Sequence, residues 1–176
     1  MDEQQNFETP SPEADVPFTV TDAVEGQEVF FGPGFAGSVS AKENVNVSKG
    51  GALAITAGHD ASVVYGGALA IPVGHDLNLV NGGALIMPVG GNAQVVNGGA
   101  ETLIVGGNLD IANGGSLLSF SSQVNAKNSF FGIIISGGTT LQEGSRVLLD
   151  NRQAALFGAA FGAAFALLSL LFRRRK

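Results

Sequence analysis

The chain contains no cysteine, which excludes disulfides, thiolate metal sites and a cysteine nucleophile, and leaves the redox compartment unmarked. Charge is scarce as well. Only 14% of the 176 residues are Asp, Glu, Lys or Arg, against about 25% in ordinary soluble domains. The balance is acidic, with a formal net charge of −6. A nucleic-acid binder needs Lys and Arg gathered on one face, so nucleic acid is not an expected partner. Histidine occurs only twice, at His59 and His75. The chain shows no nucleophile elbow, no zinc-type ligand spacing and no grouping of Ser, His and Asp around a plausible cleft. Gly32-Pro33-Gly34-Phe35-Ala36-Gly37 matches GxGxxG, but neither a helix pattern nor a phosphate-binding lysine follows it, so no dinucleotide site is read there. No catalytic, cofactor or metal residue is assigned.

Glycine is abundant instead: 26 residues, about twice the usual share. Most of them mark a repeat, which is the first thing to look for in such a chain. Gly50-Gly51-Ala52-Leu53-Ala54-Ile55 returns as Gly66-Gly67-Ala68-Leu69-Ala70-Ile71, as Gly82-Gly83-Ala84-Leu85-Ile86-Met87, and more weakly from Gly98 and Gly114. The interval is 16 residues. The second half of each unit repeats too, as Gly58-His59-Asp60-Ala61-Ser62-Val63, Gly74-His75-Asp76-Leu77-Asn78-Leu79, Gly90-Gly91-Asn92 and Gly106-Gly107-Asn108.

Leu77 and Leu79 flank Asn78, Ala61 and Val63 flank Ser62, and Leu109 and Ile111 flank Asp110. That alternation predicts strands with the apolar members inward. Glycine at the junctions suits crowded or left-handed corners, and Asn81, Asn97 and Asn113 suit turns. Strand, corner, strand, corner every 16 residues describes one coil of a parallel β-helix. The expected fold is therefore all-β, a solenoid over residues 18–149 of about eight coils and about 38 Å. Residues from Phe130 to Leu149 keep strand character but fall out of phase, as a terminal coil or cap would.

If Leu69, Ile71 and Val73 point inward, the outward columns headed by Ala54 and Thr56 are mostly apolar. They form either an interaction flank or corners where proline belongs. Glu101 fits this register poorly, because it falls at an inward position. His59 and His75 share a column one coil apart, and each is followed by Asp. With no third ligand in phase, they are read as a turn ladder; a hexapeptide-type acyltransferase, which uses a histidine, is the alternative.

The ends differ from the middle. Residues 1–17 carry five carboxylates, three prolines and no Lys or Arg, the composition of a disordered acidic tail and not of a secretory signal. Residues 150–176 are read as a C-terminal transmembrane helix with a basic tail. Ala154 to Phe172 is uncharged for 19 residues, about 28 Å of helix against a hydrocarbon layer of about 30 Å. Ala154, Gly158, Gly162 and Ala166 form a small-residue face for helix packing, and Arg173, Arg174, Arg175 and Lys176 flank the span. A buried helix capping the solenoid is the competing reading. Basic residues after the span favour a cytoplasmic carboxyl terminus, whereas a tail anchor places the β-helix itself in the cytoplasm; the latter is the expected topology. The lipid bilayer and other membrane proteins are the expected partners besides further copies of the chain.

This organisation resembles bactofilins, the polymer-forming cytoskeletal proteins of bacteria. The likeness rests on the proline-containing tail, the Val/Leu/Ile alternation, and corners such as Gly74-His75-Asp76-Leu77 and Gly106-Gly107-Asn108-Leu109 over residues 35–149. The 16-residue unit and the C-terminal span depart from that family's pattern. The resemblance implies nucleotide-free end-to-end polymerisation through apolar residues of the end coils: Phe30, Phe31, Phe130, Phe131, Ile133 and Ile135. The expected function is a membrane-anchored, self-associating, non-enzymatic scaffold without cofactor, with an accessory subunit of a larger membrane complex as a further alternative.

Overall fold

The computed structural model describes residues 17–149, together with six separate positions between 153 and 162. Fifteen strands follow one another: β1 (Thr19–Gly26), β2 (Val29–Phe31), β3 (Gly34–Ala41), β4 (Val45–Ser48), β5 (Gly50–Ala57), β6 (Ala61–Val64), β7 (Gly67–Ala70), β8 (Leu77–Val80), β9 (Gly83–Val89), β10 (Ala93–Val96), β11 (Gly99–Val105), β12 (Asn108–Ala112), β13 (Gly115–Lys127), β14 (Phe130–Leu141) and β15 (Arg146–Leu149). Every pairing is parallel. Odd-numbered strands stack as β1-β3-β5-β7-β9-β11-β13 and even-numbered ones as β2-β4-β6-β8-β10-β12-β13, after which β14 and β15 continue from β13. Gly51 pairs with Gly67, Gly67 with Gly83 and Gly83 with Gly99, so the glycine blocks lie above one another and sixteen residues carry the backbone once around. The chain is a parallel β-solenoid of about eight turns.

The core is one axial column of small and branched side chains. Each regular coil sends in an alanine (Ala52, Ala68, Ala84, Ala100) and then alternating residues, as in Ile55, Ala57, Ala61 and Val63. In the last coils the alanine column ends at Ser116 and Phe131, the latter fully buried. The hydroxyls of Ser116 and Ser119 satisfy one another, and two small polar residues leave room for the Phe131 ring above them.

The long odd-numbered strands do not alternate throughout. Leu53, Leu69, Leu85 and Leu117 are 47–59% exposed, whereas Ile55, Ile71 and Met87 are fully buried. Two consecutive residues, such as Leu69 and Ala70, face outward where the strand bends around a corner. Leu69 is therefore not inward as its spacing from Ile71 predicts, and Glu101 belongs to the same exposed column.

The loss of phase near the end is a one-residue deletion. Ile104 pairs with Phe120 at an offset of 16, but Asn108 pairs with Gln123 at an offset of 15. The corner Gly106-Gly107 shrinks to Ser122, whose hydroxyl donates to Gly106 O at 2.7 Å, and β13 runs through both faces without a break.

At the opposite corner one residue per coil adopts a left-handed conformation: Lys49, Tyr65, Asn81, Asn97, Asn113 and Asn128, with φ between 48° and 55°. Asn adopts this region at less cost than bulkier residues do. The amides also bond along the rod, Asn97 Nδ2 donating to Asn81 Oδ1 at 3.0 Å and Asn128 Nδ2 to Asn113 Oδ1 at 2.8 Å. Tyr65 is exposed and strained. Tyr65→Asn is expected to stabilise the fold by about 0.5–1 kcal/mol, read as a higher urea midpoint at unchanged m-value.

The expected C-terminal hydrophobic α-helix requires correction. The elements named among the described residues are all strands, and no helix of the described residues is long and apolar enough to cross a membrane. Gln153, Ala155, Leu156, Gly158, Ala159 and Gly162 have helical backbone; the rest of the run lies outside the described residues. A run of apolar residues reports a preference for an apolar environment; it does not by itself specify a helix that spans one. The membrane localisation inferred from that run falls with it. The acidic segment 1–16, Ala154, Ala166 and the basic residues Arg173, Arg174, Arg175 and Lys176 lie outside the described residues.

Candidate functional site

Three surfaces carry the chemistry that the coils place together. The first is the pair of rod ends. Among the described residues, β1 is hydrogen-bonded only to β3, β2 only to β4 and β15 only to β14. Each therefore presents one row of unpaired backbone groups, the usual template for joining another chain. Phe18 and Val20 are exposed at one end and Leu141 and Leu148 at the other. The six residues expected at the end coils divide by burial. Phe31 and Phe131 lie in the core; Phe30, Phe130 and Ile135 are exposed and Ile133 is half-buried.

The second surface is the apolar flank on the odd-numbered strands. The pairing stacks Ala54, Ala70 and Ile86 in one column, and the column of Leu53, Leu69, Leu85 and Leu117 runs beside it with Glu101 as its one interruption. Reading that leucine column as inward hid it, although the carboxylate of Glu101 was the signal that the column faces water. Of the expected small-residue face, Gly158 and Gly162 are among the described residues.

The third surface is the turn between the two halves of each coil, beside an open groove of about 680 Å³ lined by Asn44, Asp60, Asp76, Asn92 and Asn108 among others. These five form a ladder in which each side chain caps the next turn. Asp60 N–H donates to Asn44 Oδ1 at 3.2 Å, Asp76 N–H to Asp60 Oδ1 at 3.0 Å, Asn92 N–H to Asp76 Oδ1 at 2.7 Å and Asn108 N–H to Asn92 Oδ1 at 3.0 Å. His59 and His75 stack in the neighbouring column with ring centroids 4.6 Å apart and planes inclined by 7°. His59 Nδ1 lies 3.3 Å from Asp60 Oδ2. His59, Asp60 and His75 are the one group of three metal-capable side chains among the described residues, with ligand atoms within 4.8 Å of one another. Directly below His59 stands Glu43, whose carbonyl accepts the His59 N–H at 2.8 Å. The column is thus not confined to two titratable residues; subtracting 16 from 59 would have found its third member.

The backbone N–H of Asp76 holds the Asp60 carboxyl below its ordinary value of 3.8, the His59 side chain adds to the effect, and desolvation opposes it. A depressed carboxylate contributes stability above its unfolded pKa, and that contribution is lost as pH falls through the folded one. Asp60→Asn keeps the acceptor oxygen and removes the titration. Its melting temperature is expected to fall less than the wild type's between pH 5 and about pH 2.5, measured by circular dichroism.

The GxGxxG match has a structural explanation. Gly34 and Gly37 lie in β3, where a Cβ would stand 2.3 Å from Thr19 O and 2.4 Å from Asp22 O. Those glycines serve the close approach of two coils, and a strand follows them instead of a helix.

The fold and these surfaces define a parallel β-solenoid. No protein-family model, curated protein or solved structure matches the chain.

Proposed function

We propose that this protein is a non-enzymatic structural scaffold whose solenoids assemble end to end without nucleotide, in the manner of the bactofilins it resembles. The observation that carries this reading is the strand edge at each end of the rod that no other described strand covers. All strands run parallel, so a second copy set end-on in the same orientation continues both ladders. Such a contact is heterologous and does not close, and its product is a filament. Exposed apolar side chains stand among the polar ones at both ends, Phe18 and Val20 at one and Leu141 and Leu148 at the other, and their burial favours joining. The leucine-rich flank is the surface on which filaments lying side by side meet.

Electron microscopy and sedimentation of the full-length chain, purified without nucleotide, test the proposal. Filaments or filament bundles that lengthen with protein concentration are expected. Single rods at every concentration would refute assembly, and discrete trimers would favour the acyltransferase-like alternative, in which His75 sits at a subunit boundary.

A further inference from the structure

We propose that His59, Asp60 and His75 form a binding site for a divalent transition-metal ion of the zinc class on the wall of the solenoid. The argument begins with the backbone. His59 N–H donates to Glu43 O at 2.8 Å, His75 N–H to His59 O at 2.8 Å and Gly91 N–H to His75 O at 2.7 Å. Four successive turns are thereby locked in register, and the two imidazoles project from fixed positions one coil apart.

The donor atoms are close to the required spacing. Tetrahedral zinc with bonds of about 2.0–2.1 Å keeps neighbouring ligand atoms about 3.3 Å apart. His59 Nδ1 and Asp60 Oδ2 are already 3.3 Å apart. The His75 ring is stacked on His59 at 4.6 Å and must tilt inward by about 1–1.5 Å to complete a three-ligand set at the tetrahedral spacing. Its exposure permits that rotation, and water supplies the fourth position. Two imidazoles with a single carboxylate select zinc, copper or nickel over calcium or magnesium, which need mostly oxygen ligands.

The surroundings hold the carboxylate and leave the approach open. Asp60 Oδ1 is occupied by the Asp76 N–H at 3.0 Å, so the side chain is anchored while Oδ2 faces His59. Asp76 is committed elsewhere: its Oδ1 accepts both the backbone N–H and the Nδ2 of Asn92, at 2.7 and 3.2 Å. Glu43 accepts from Gln27 Nε2 at 2.6 Å. The next residue of the histidine column is Gly91, which has no side chain to cover the site. A ladder serving only turn structure does not require imidazole; the same column continues as Gly91 and Gly107.

Isothermal titration of the full-length chain with zinc chloride provides the test. One ion per chain is expected for the wild type, with affinity reduced at least about tenfold in both His59→Ala and His75→Ala. Glu43→Gln, one coil below, is expected to bind as the wild type does. Far-ultraviolet circular dichroism checks that the variants fold, and His75→Gln replaces His75→Ala if the latter does not. Cobalt(II) provides an independent readout, because a tetrahedral site gives intense visible absorption that both histidine variants lose. Zinc uptake equal in the wild type and the His59→Ala/His75→Ala double variant overturns the proposal, as does an equal loss in Glu43→Gln.

Discussion

Gly98→Ala is expected to lower the melting temperature of the solenoid by about 10 °C or more, whereas Gly138→Ala leaves it unchanged or slightly higher. The chemical change is the same and the surroundings decide the outcome. A Cβ on Gly98 would lie 2.0 Å from Gly82 O, well inside any tolerated contact. That oxygen also accepts the Gly99 N–H at 3.2 Å, so the added methyl group cannot be relieved without prising apart two coils at a ladder bond. Gly66, Gly82 and Gly114 repeat the contact at 1.9–2.0 Å from the preceding glycine's oxygen, and strain at one coil is transmitted to its neighbours. The cost is about 3 kcal/mol or more, at the upper end for overpacking. At Gly138 the nearest atom is Gln123 Cγ at 4.0 Å, an ordinary contact. There alanine acts mainly through the unfolded chain, which has less freedom to lose, and adds about 0.4–1 kcal/mol. Thermal melts of the two variants beside the wild type check both signs. An unchanged melt for Gly98→Ala would mean that the coils are not stacked as described.

The same glycines explain why the coil was legible and the corners were not. Gly-Gly-Ala recurs because the backbone there leaves no room for a side chain, so the 16-residue interval is written directly into the residues. The alternation of Leu77, Asn78 and Leu79 is equally direct, since the inward residues are large and the outward one polar. Along the longer strands the inward alanines are too small to mark a face, and the outward residues are leucines. Periodicity then assigns Leu69 to the core, and the bend that places Leu69 and Ala70 both outside leaves no trace except Glu101. The deletion at Ser122 is invisible until pairing shows an offset of 15. The buried Ser116–Ser119 pair is intelligible only beneath Phe131. For the metal-capable cluster, the histidine column followed from the interval, but the contact between His59 and Asp60 depends on side-chain direction within a tight turn. The C-terminal run shows the limit from the other side: hydropathy describes what a segment avoids and does not by itself specify a spanning helix.

Val20→Pro is expected to weaken end-to-end assembly strongly while leaving the rod folded. Thr19 N–H donates to Pro33 O at 3.0 Å, on the side of β3. Backbone groups alternate in direction along a paired strand, so the Val20 N–H points to the open edge and takes no part in the rod's own ladder. Proline at that position removes a donor only from a joining strand and sets its ring in the path of that strand. Val20 is 73% exposed, so little core packing is lost and the stability change is about 1 kcal/mol or less. The rod itself carries Pro88 inside β9, so a ladder can absorb one missing donor, and the expected effect is a rise of about tenfold or more in the concentration at which filaments form. Sedimentation should show single rods at concentrations where the wild type forms filaments, with superimposable circular dichroism spectra. Thr19→Pro is the matched control: it removes the bond to Pro33 O and is expected to loosen the first coil itself, lowering the melting temperature. If Val20→Pro still polymerises as the wild type does, the open edge of β1 is not the joint, and the apolar flank becomes the surface through which copies associate.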